Sequence, residues 1–343
     1  MLLSEYTFDL PEDLIAQQPL ENREDSRMLF VDRKSASFTN QQFTDFAGLL
    51  RKGDLVVLND TKVFPARLLG KSDTGASIEI FLIEEISPMT WLTLARPAKR
   101  LKVGKKIIFE GNLTCEIKEK TADGKIVVHF AAIEPLETIL QEIGRTPLPP
   151  YIRRHGADID ADRERYQTVY ASKSGAIAAP TAGLHFTPQV LDRIKNIGAS
   201  IAEITLHVGY GTFEPVRVTE LSQHKVAAES YEISDDTTKL LNNAKSEGRR
   251  IIAVGTTTTR ALESSVANHK QFVAGRDFAD LTILPGHEFC AVDGLLTNFH
   301  LPQSSLLVLV STFGGHELIM DSYRHAVSAR YRFYSYGDCM LIV

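Results

Sequence analysis

Apolar residues in the second half of the chain alternate between two spacings, and this alternation predicts an α/β domain. Residues 187–198 carry an apolar face with the period of a helix, which Thr187 caps and Gly198 ends. Strands are predicted at 200–208 and 249–255, each following one of the predicted helices. Repeated strand–helix alternation is typical of a largely parallel sheet covered by helices. The other elements predicted in this half are helices at 235–248, 256–266, 304–315 and 316–331 and strands at 281–286 and 339–343.

The first half of the chain has a different pattern of apolar and polar residues. An apolar strand is predicted at 55–58, and short β-rich runs then follow one another between residues 66 and 135. Turn signals separate these runs, among them the hairpin pair Asp123-Gly124. Strands at this spacing predict a small barrel or sandwich, and a short helix at 134–144 leads out of it. The predicted fold is α/β: a main domain built from residues 1–65 and 151–343, with a small β-barrel domain, residues 66–150, inserted.

Composition narrows the class of protein. The 343 residues are 43% hydrophobic and 24% charged, which is ordinary for a globular protein, and the net charge of −5 gives no global attraction to nucleic acid. The three cysteines are far apart, which favours a reducing compartment over a disulfide framework. The N-terminus lacks the pattern of a signal peptide, and the apolar run at 306–313 is too short to cross a bilayer. We therefore expect a cytoplasmic protein with no membrane partner.

Four loops near predicted strand ends carry hydroxyls, amides, glycines and histidines in place of dense charge. They span residues 176–187, 205–216, 253–264 and 292–305. Taken alone, the first is better explained as a tight connection capped by Thr187, whereas the four threonines of the third exceed what one helix cap needs. A rim of such groups suits a ligand with ribose hydroxyls and an adenine. Neither a phosphate-binding P-loop nor a complete dinucleotide motif is present.

Histidines in three of these loops raise the possibility of a metal site. His185, His207 and His300 show no H-x-x-x-H spacing, and no clustered carboxylates accompany them. We expect no metal, and we expect at least one of the three to be a structural residue that is simply hydrogen-bonded.

A basic stretch stands out on this acidic chain. Residues 95–106 hold six bases and no acid, and two further arginines follow near the end of the predicted β domain. A solvated turn would explain such a run, but its one-sided charge favours contact with a phosphate backbone. The residues predicted to contact nucleic acid are Arg96, Lys99, Arg100, Lys102, Lys105, Arg153 and Arg154.

Six segments in this order resemble the S-adenosylmethionine:tRNA ribosyltransferase-isomerases, a family of queuosine biosynthesis. The segments are LNDTKVFPARL, PTAGLHFT, TLHVGYGTFEPV, VGTTTTRALES, DGLLTNFHLP and YSYGDCMLI. The resemblance covers essentially the whole chain. It departs from the family pattern at Leu284 and His287, where aromatic residues are more usual, and at Thr258-Thr259, where Ser-Val is more common.

The resemblance implies an α/β domain with an inserted β-barrel and a reaction in which S-adenosylmethionine donates its ribosyl unit. The acceptor is tRNA carrying 7-aminomethyl-7-deazaguanine at the wobble position, and the products are epoxyqueuosine-tRNA, adenine and methionine. No metal or further cofactor is implied. The reaction starts with removal of a C5′ proton beside the sulfonium; adenine leaves, the tRNA amine attacks, and loss of methionine closes the epoxide.

Residue chemistry, and not the resemblance, assigns roles within this reaction. His185 or His300 is expected to transfer the proton, with Asp293 as the next choice. Arg260 is expected to hold the methionine carboxylate, and replacing His185 by Ala should lower turnover without disturbing the fold. The residues predicted to bind S-adenosylmethionine are Thr181, Gly183, Leu184, His207, Gly209, Tyr210, Gly211, Thr212, Thr256, Thr257, Thr258, Arg260 and Asn298.

Two other functions are compatible with parts of the pattern. The stretch VGTTTTR is also similar to a phosphate-holding loop, so the chain could be a ribosyl- or phosphoribosyl-transferring enzyme that acts on a free nucleoside and depends on pyrophosphate. It could also be a tRNA-binding module that has lost catalysis, although the intact polarity of the loops argues against this. A monomer is expected, but no feature of the sequence sets the oligomeric state.

Overall fold

A computed structural model describes residues 1–154, 159–213, 216 and 218–343, with the side chains at 100, 159, 160, 212 and 213 excepted. The strands are β1 (Arg27–Asp32), β2 (Ser37–Gln42), β3 (Leu55–Asn59), β4 (Thr61–Val63), β5 (Arg67–Ser72), β6 (Ser77–Ser87), β7 (Thr90–Arg96), β8 (Lys106–Ile108), β9 (Thr114–Lys120), β10 (Ile126–Ala131), β11 (Lys173–Ala176), β12 (Ser200–Leu206), β13 (Glu229–Ile233), β14 (Ile251–Val254), β15 (Gly275–Ala279), β16 (Gly294–Asn298) and β17 (Cys339–Ile342). The helices are α1 (Phe46–Leu49), α2 (Leu136–Ile143), α3 (Ile159–Arg165), α4 (Pro188–Asn196), α5 (Asp235–Ser246), α6 (Thr256–His269), α7 (Ser305–Gly314) and α8 (His316–Ser328).

A nine-stranded sheet forms the main body, in the order β15-β13-β12-β3-β14-β16-β17-β1-β2. Its central strands β12, β3, β14 and β16 are parallel, whereas β17 runs antiparallel to β16 and the outer strands β13, β15 and β2 are antiparallel to their neighbours. The predicted α/β class is thus confirmed, but the sheet is parallel chiefly at its centre. Helices cover both faces: Leu55 and Val57 of β3 join the core under α5 to α8, while Val56 and Leu58 join the core under α1 and α4.

Most predicted helices are present, and one predicted strand is not. Thr187 caps α4 by accepting a hydrogen bond from the Val190 N–H, as the sequence indicates. Residues 281–286 form no strand; the sheet edge is instead made by β15, just before them. The strand prediction failed because the apolar side chains of that segment pack onto the core from a loop, whereas β15 buries only Ala279 and therefore lacks an apolar pattern.

Six of the strands close into the predicted barrel, in the order β10-β7-β6-β5-β8-β9. The Asp123-Gly124 pair forms the turn between β9 and β10, where Gly124 has a φ of +86° that favours glycine. Helix α2 packs on the barrel core through Leu136, Ile139 and Leu140.

The basic stretch does not form a hairpin. It follows β7, which pairs with β6 and β10, and leads into β8, which pairs with β5 and β9. Because β7 and β8 are not neighbours, the stretch is a connection that crosses one end of the barrel. Within the described residues, no helix is long and apolar enough to pass through a membrane.

Candidate active site

A cavity of about 530 Å³ opens near the carboxyl ends of the parallel strands. Ligands bind at this edge in open α/β sheets, because the loops that follow parallel strands meet there. The predicted site residues that line the cavity are Thr181, Gly211, Thr256, Thr257, Arg260, Asn298 and His300. All four loops singled out in the sequence therefore contribute to one cavity.

The threonine run divides between ligand-facing and structural positions. Thr256 and Thr257, at the start of α6, line the cavity. Thr258 is fully buried and its hydroxyl donates to the Val254 carbonyl at 2.7 Å, while the Thr259 hydroxyl donates to the carbonyl of Gly255 at 3.1 Å. The prediction that Thr258 binds the ligand is therefore wrong, because its hydroxyl is used one helical turn back along its own chain.

Asn298 and His300 extend from the carboxyl end of β16. The Asn298 Nδ2 donates to the Tyr334 carbonyl at 3.0 Å, and its Oδ1 is buried with no hydrogen-bond partner among the described residues. The His300 Nε2 lies 2.9 Å from the Thr297 Oγ1. Burial lowers the pKa of His300 to about 3, so that this ring is neutral at ordinary pH. A neutral imidazole and an unsatisfied amide oxygen thus stand on adjoining stretches of the wall.

Aromatic and polar residues that the sequence did not single out complete the cavity. The rings of Tyr151 and Tyr334 approach to a centroid distance of 3.7 Å on its wall. Tyr334 and Gln303, which also line it, have φ angles of +73° and +56°. Left-handed backbone in non-glycine residues costs free energy and is concentrated at functional sites. His224 is a further lining residue, held by a 2.8 Å contact between its Nε2 and the Ser305 Oγ.

No pattern in the sequence pointed to these four lining residues. Tyr334 and Gln303 fall inside segments that carried other signals, and their left-handed backbone has no sequence signature in a non-glycine residue. Tyr151 follows a run of prolines, and His224 lies in a polar stretch without glycines or repeated hydroxyls.

His185 lies behind the wall and does not line the cavity. Its Nδ1 is 2.7 Å from the Ser26 Oγ, and the ring is buried. Burial lowers its pKa to about 4, against a smaller opposing effect of the Asn298 amide. Its Nε2 is buried and forms no hydrogen bond of good geometry with the described residues. The structure therefore does not support direct proton transfer by His185; its place beside Asn298 makes it a positioning residue.

The neighbouring Gly183 and Leu184 are also packing residues. A Cβ at Gly183 would lie 2.1 Å from the Tyr170 hydroxyl oxygen and 2.8 Å from the Thr168 Cγ2, so glycine is needed for close approach and not for an unusual φ. Leu184 is buried in the core. Neither residue lines the cavity, and the prediction that they bind the ligand is wrong.

Asp293 is at the wrong end of its strand. It immediately precedes β16, where its Oδ2 accepts the Ile251 N–H at 2.9 Å and ties β16 to β14. Asn298 is the last residue of the same strand, about 16 Å away at 3.3 Å per residue, and His300 lies beyond it. The choice of Asp293 as a catalytic residue is therefore wrong.

Arg260 is committed to a buried ion pair. Its Nη1 donates to the Glu229 Oε2 at 2.7 Å, and the two side chains are 5% and 6% exposed. The remaining guanidinium hydrogen bonds go to the carbonyl oxygens of Ala227, Ala279 and Leu281. Arg260 lines the cavity, but its hydrogen-bonding capacity is largely used, so the predicted role on the methionine carboxylate is not supported.

A second cavity, of about 870 Å³, lies between the barrel and the sheet. It is lined by four residues predicted to bind S-adenosylmethionine, namely His207, Gly209, Tyr210 and Gly211. The His207 Nδ1 is 2.8 Å from the Thr61 Oγ1, and burial lowers the pKa of His207. Gly211 lines both cavities, so the predicted ligand residues are shared between two adjoining spaces.

The match to known proteins decides the family. The family model described as "Queuosine biosynthesis protein" matches residues 3–342. The chain belongs to the queuosine biosynthesis protein family. It is 47% identical, with both chains fully covered, to the S-adenosylmethionine:tRNA ribosyltransferase-isomerase of Trichlorobacter lovleyi. It is 48% identical, again over the whole of both chains, to the protein of that name from Staphylococcus haemolyticus.

A solved structure agrees with this assignment to the queuosine biosynthesis protein family. The crystal structure of S-adenosylmethionine tRNA ribosyltransferase from Thermotoga maritima is 34% identical, covers 99% of this chain and 100% of its own, and superimposes with a TM-score of 0.56.

The basic residues of this family member have different surroundings. Arg96, Lys99 and Lys102 are exposed, and Lys105 is half-buried in a 3.3 Å ion pair with Asp73. Arg153 is 72% exposed. These positions leave the predicted contact with RNA open.

Arg154 is not part of such a surface. It forms two 2.7 Å hydrogen bonds with the carboxylate of Asp162, and its Nη1 donates to the Gln17 carbonyl. This guanidinium is a structural clamp, and the prediction that it contacts RNA is wrong. The predictions for Arg100 and Thr212 concern side chains that lie outside the described residues.

The three histidines do not assemble into one site. His300 lines the first cavity, His207 lines the second, and His185 is buried behind Asn298. In the described part of the chain, no group of three or more His, Cys, Asp or Glu side chains is arranged to hold a metal ion.

The buried His185 predicts acid sensitivity. Because its folded-state pKa of about 4 is below the value of 6.5 for an exposed histidine, the unfolded chain takes up the proton first as the pH falls. This residue's contribution to stability is complete above about pH 6.5 and declines towards pH 4, by about 2 kcal/mol between pH 7 and pH 5. Urea unfolding at several pH values should show that the free energy of unfolding of His185→Gln depends less on pH than that of wild type. The difference should correspond to about one proton fewer taken up on unfolding. An unchanged dependence would contradict the assignment.

Proposed function

We propose that the chain transfers and isomerises the ribosyl unit of S-adenosylmethionine onto 7-aminomethyl-7-deazaguanine at the wobble position of tRNA. The products are epoxyqueuosine-tRNA, adenine and methionine. Membership of the queuosine biosynthesis protein family and full-length relatives named for this activity support the proposal. We also propose that the enzyme acts as a cytoplasmic monomer without a metal or further cofactor.

The observation that carries the proposal is the convergence of four loops on the first cavity. Thr181, Gly211, Thr256 and Asn298 come from distant parts of the sequence and share one wall. A volume of about 530 Å³ is in the range of cavities that enclose a nucleoside-sized ligand. The lining is rich in hydroxyls, amides and aromatic rings, which suits an adenosyl group better than a triphosphate.

The proposed roles follow from this placement. The hydroxyls of Thr256 and Thr257 hold the ribose, and the side chain of Asn298 contacts the ligand from the same cavity. The rings of Tyr151 and Tyr334, inclined at 54° to each other, offer aromatic faces on which adenine can pack.

His300 is the proposed proton-transfer residue. Of the two histidines suggested by the sequence for this step, it is the one on the cavity wall. It would take the C5′ proton beside the sulfonium and return it to the departing adenine. The tRNA amine then attacks the opened sugar, and loss of methionine closes the epoxide.

One assay tests the function. The protein is incubated with S-adenosylmethionine and tRNA that carries the aminomethyl base, and adenine is separated by chromatography. We expect adenine only when both substrates are present. Activity on a free nucleoside with pyrophosphate would favour the phosphoribosyl-type transferase, and tRNA binding without adenine release would favour a module without catalysis. Unmodified tRNA is the matched control, and equal adenine release with it would refute the assignment of the acceptor base.

A further inference from the structure

The second cavity has walls from both parts of the molecule. The barrel contributes β6, β7 and α2, and the main domain contributes β11, the loop after β12 and the strands β13 and β15. Val208, Gly211 and Val226 line both this cavity and the first one. The two cavities therefore adjoin at these residues.

Aromatic side chains give the second cavity the character of a nucleobase site. Phe64, Trp91, Tyr210 and Phe278 line it, and the rings of Phe64 and Trp91 are 5.9 Å apart. Phe278, on the edge strand β15, is 59% exposed and so presents its ring to the cavity and to solvent. Aromatic faces of this kind stack with single bases, and enzymes that modify a base draw it out of its stack into such a space.

Trp91 adds an indole N–H that has no hydrogen-bond acceptor within the described residues. Its Nε1 atom is buried. A buried N–H without an acceptor is costly, and an acceptor atom on the edge of a base would satisfy it.

Carboxylates on the wall of the second cavity give it negative charge, which is complementary to a positively charged ligand group. Glu84, Glu85 and Glu137 line the cavity and are exposed. They would repel phosphate, but they suit a base with a primary amine on its arm, because such an amine is an ammonium ion near neutral pH. Arg67 and Arg96 line a smaller groove that shares Tyr210 with this cavity; the Arg67 Nε lies 3.9 Å from the Glu79 Oε1, whereas Arg96 is exposed and could meet a phosphate.

We propose that the second cavity receives the acceptor nucleobase of the RNA, with the Trp91 indole N–H donating to its edge and Glu84 and Glu85 facing its ammonium arm. The proposal rests on the proposed function. It separates the two substrates, with the sulfonium donor in the first cavity and the acceptor base in the second.

Trp91 is the single tryptophan of the chain, so the fluorescence of the unmodified protein reports on this cavity. We expect saturable quenching or a spectral shift with an anticodon stem-loop that carries 7-aminomethyl-7-deazaguanine at the wobble position. A much smaller change is expected with the same stem-loop carrying guanine, and none with S-adenosylmethionine alone. A saturable change with S-adenosylmethionine alone, or stem-loop binding with no change at Trp91, would overturn the proposal, as would no binding of the stem-loop at all.

Variants give a second, independent test. Trp91→Phe keeps a ring but removes the N–H, and we expect the Kd for the modified stem-loop to rise about tenfold while the Kd for S-adenosylmethionine is unchanged. Ile108→Ala is the control, because Ile108 is 56% exposed on β8, a strand that is not adjacent to β7. Equal stem-loop affinities for Trp91→Phe and wild type would count against the site.

Adenine release measured in the same samples separates this inference from the proposed function. Adenine release with no response of Trp91 leaves the function standing and removes the base site. A response of Trp91 without adenine release leaves the base site standing and removes the proposed function.

Discussion

Replacing Arg260 by Met is expected to lower the free energy of unfolding by about 3–5 kcal/mol, because it removes the guanidinium that pairs with the buried Glu229 carboxylate at 2.7 Å. The side chains of Arg260 and Glu229 are 5% and 6% exposed, so water cannot compensate for the lost ion pair. Urea unfolding at pH 7 measures the effect. The exposed pair of Arg324 and Asp321, with both side chains 60% exposed, provides the control, and Arg324→Met should change stability little.

The double variant sharpens this test. Arg260→Met combined with Glu229→Leu removes both charges, and we expect it to be more stable than either single variant, since buried pairs can be replaced by apolar residues at small cost. Single variants within about 1 kcal/mol of wild type would show that the pair is not desolvated in the way the structure indicates.

The same pair links stability to the site. Glu229 also accepts the Gly209 N–H at 3.0 Å, so it holds the loop that separates the two cavities. Arg260 lines one cavity and Glu229 the other. The ion pair is therefore part of the partition between the proposed donor and acceptor spaces, which explains why the arginine in the threonine-rich loop faces protein and not ligand.

Sequence reasoning located the loops but not the direction of each side chain. The loops could be found because parallel strands place their carboxyl ends at one edge of a sheet, and glycines and threonines mark those ends. Whether Thr257 or Thr258 faces the ligand depends on where α6 begins, and the helix starts directly at Thr256. A shift of one residue turns a side chain by about 100° around the helix, so the assignment needed the structure.

Asp293 shows a different limit. The sequence pattern predicts one polar loop between residues 292 and 305, but residues 294–298 form the buried strand β16. Asp293 and His300 are close in sequence but lie at opposite ends of that strand. The sequence also gives no sign of the ion-pair partners of Arg154 and Arg260, because an ion pair between side chains brought together by the fold leaves no local pattern.

Replacing His300 by Ala is expected to lower kcat by about 10²–10⁴-fold, the usual contribution of a positioned proton-transfer group. The affinity for S-adenosylmethionine should change much less, since the threonine and tyrosine contacts remain. Single-turnover adenine release and equilibrium binding of S-adenosylmethionine separate the two effects. His269→Ala is the matched control, because His269 forms a partly exposed ion pair with Asp277 outside both cavities.

The pH dependence of kcat distinguishes His300 from the other cavity histidine. His300 must be neutral to accept a proton, and burial holds its pKa near 3, so its protonation should not reduce kcat between pH 8 and pH 5. The buried histidines weaken the fold over the same range, so activity is compared with recovery after return to pH 7. An acid limb below pH 6.5 in a protein that recovers fully, lost in His224→Ala, would transfer the catalytic role to His224, whose pKa is lowered from 6.5 by burial and whose ring also lines the cavity.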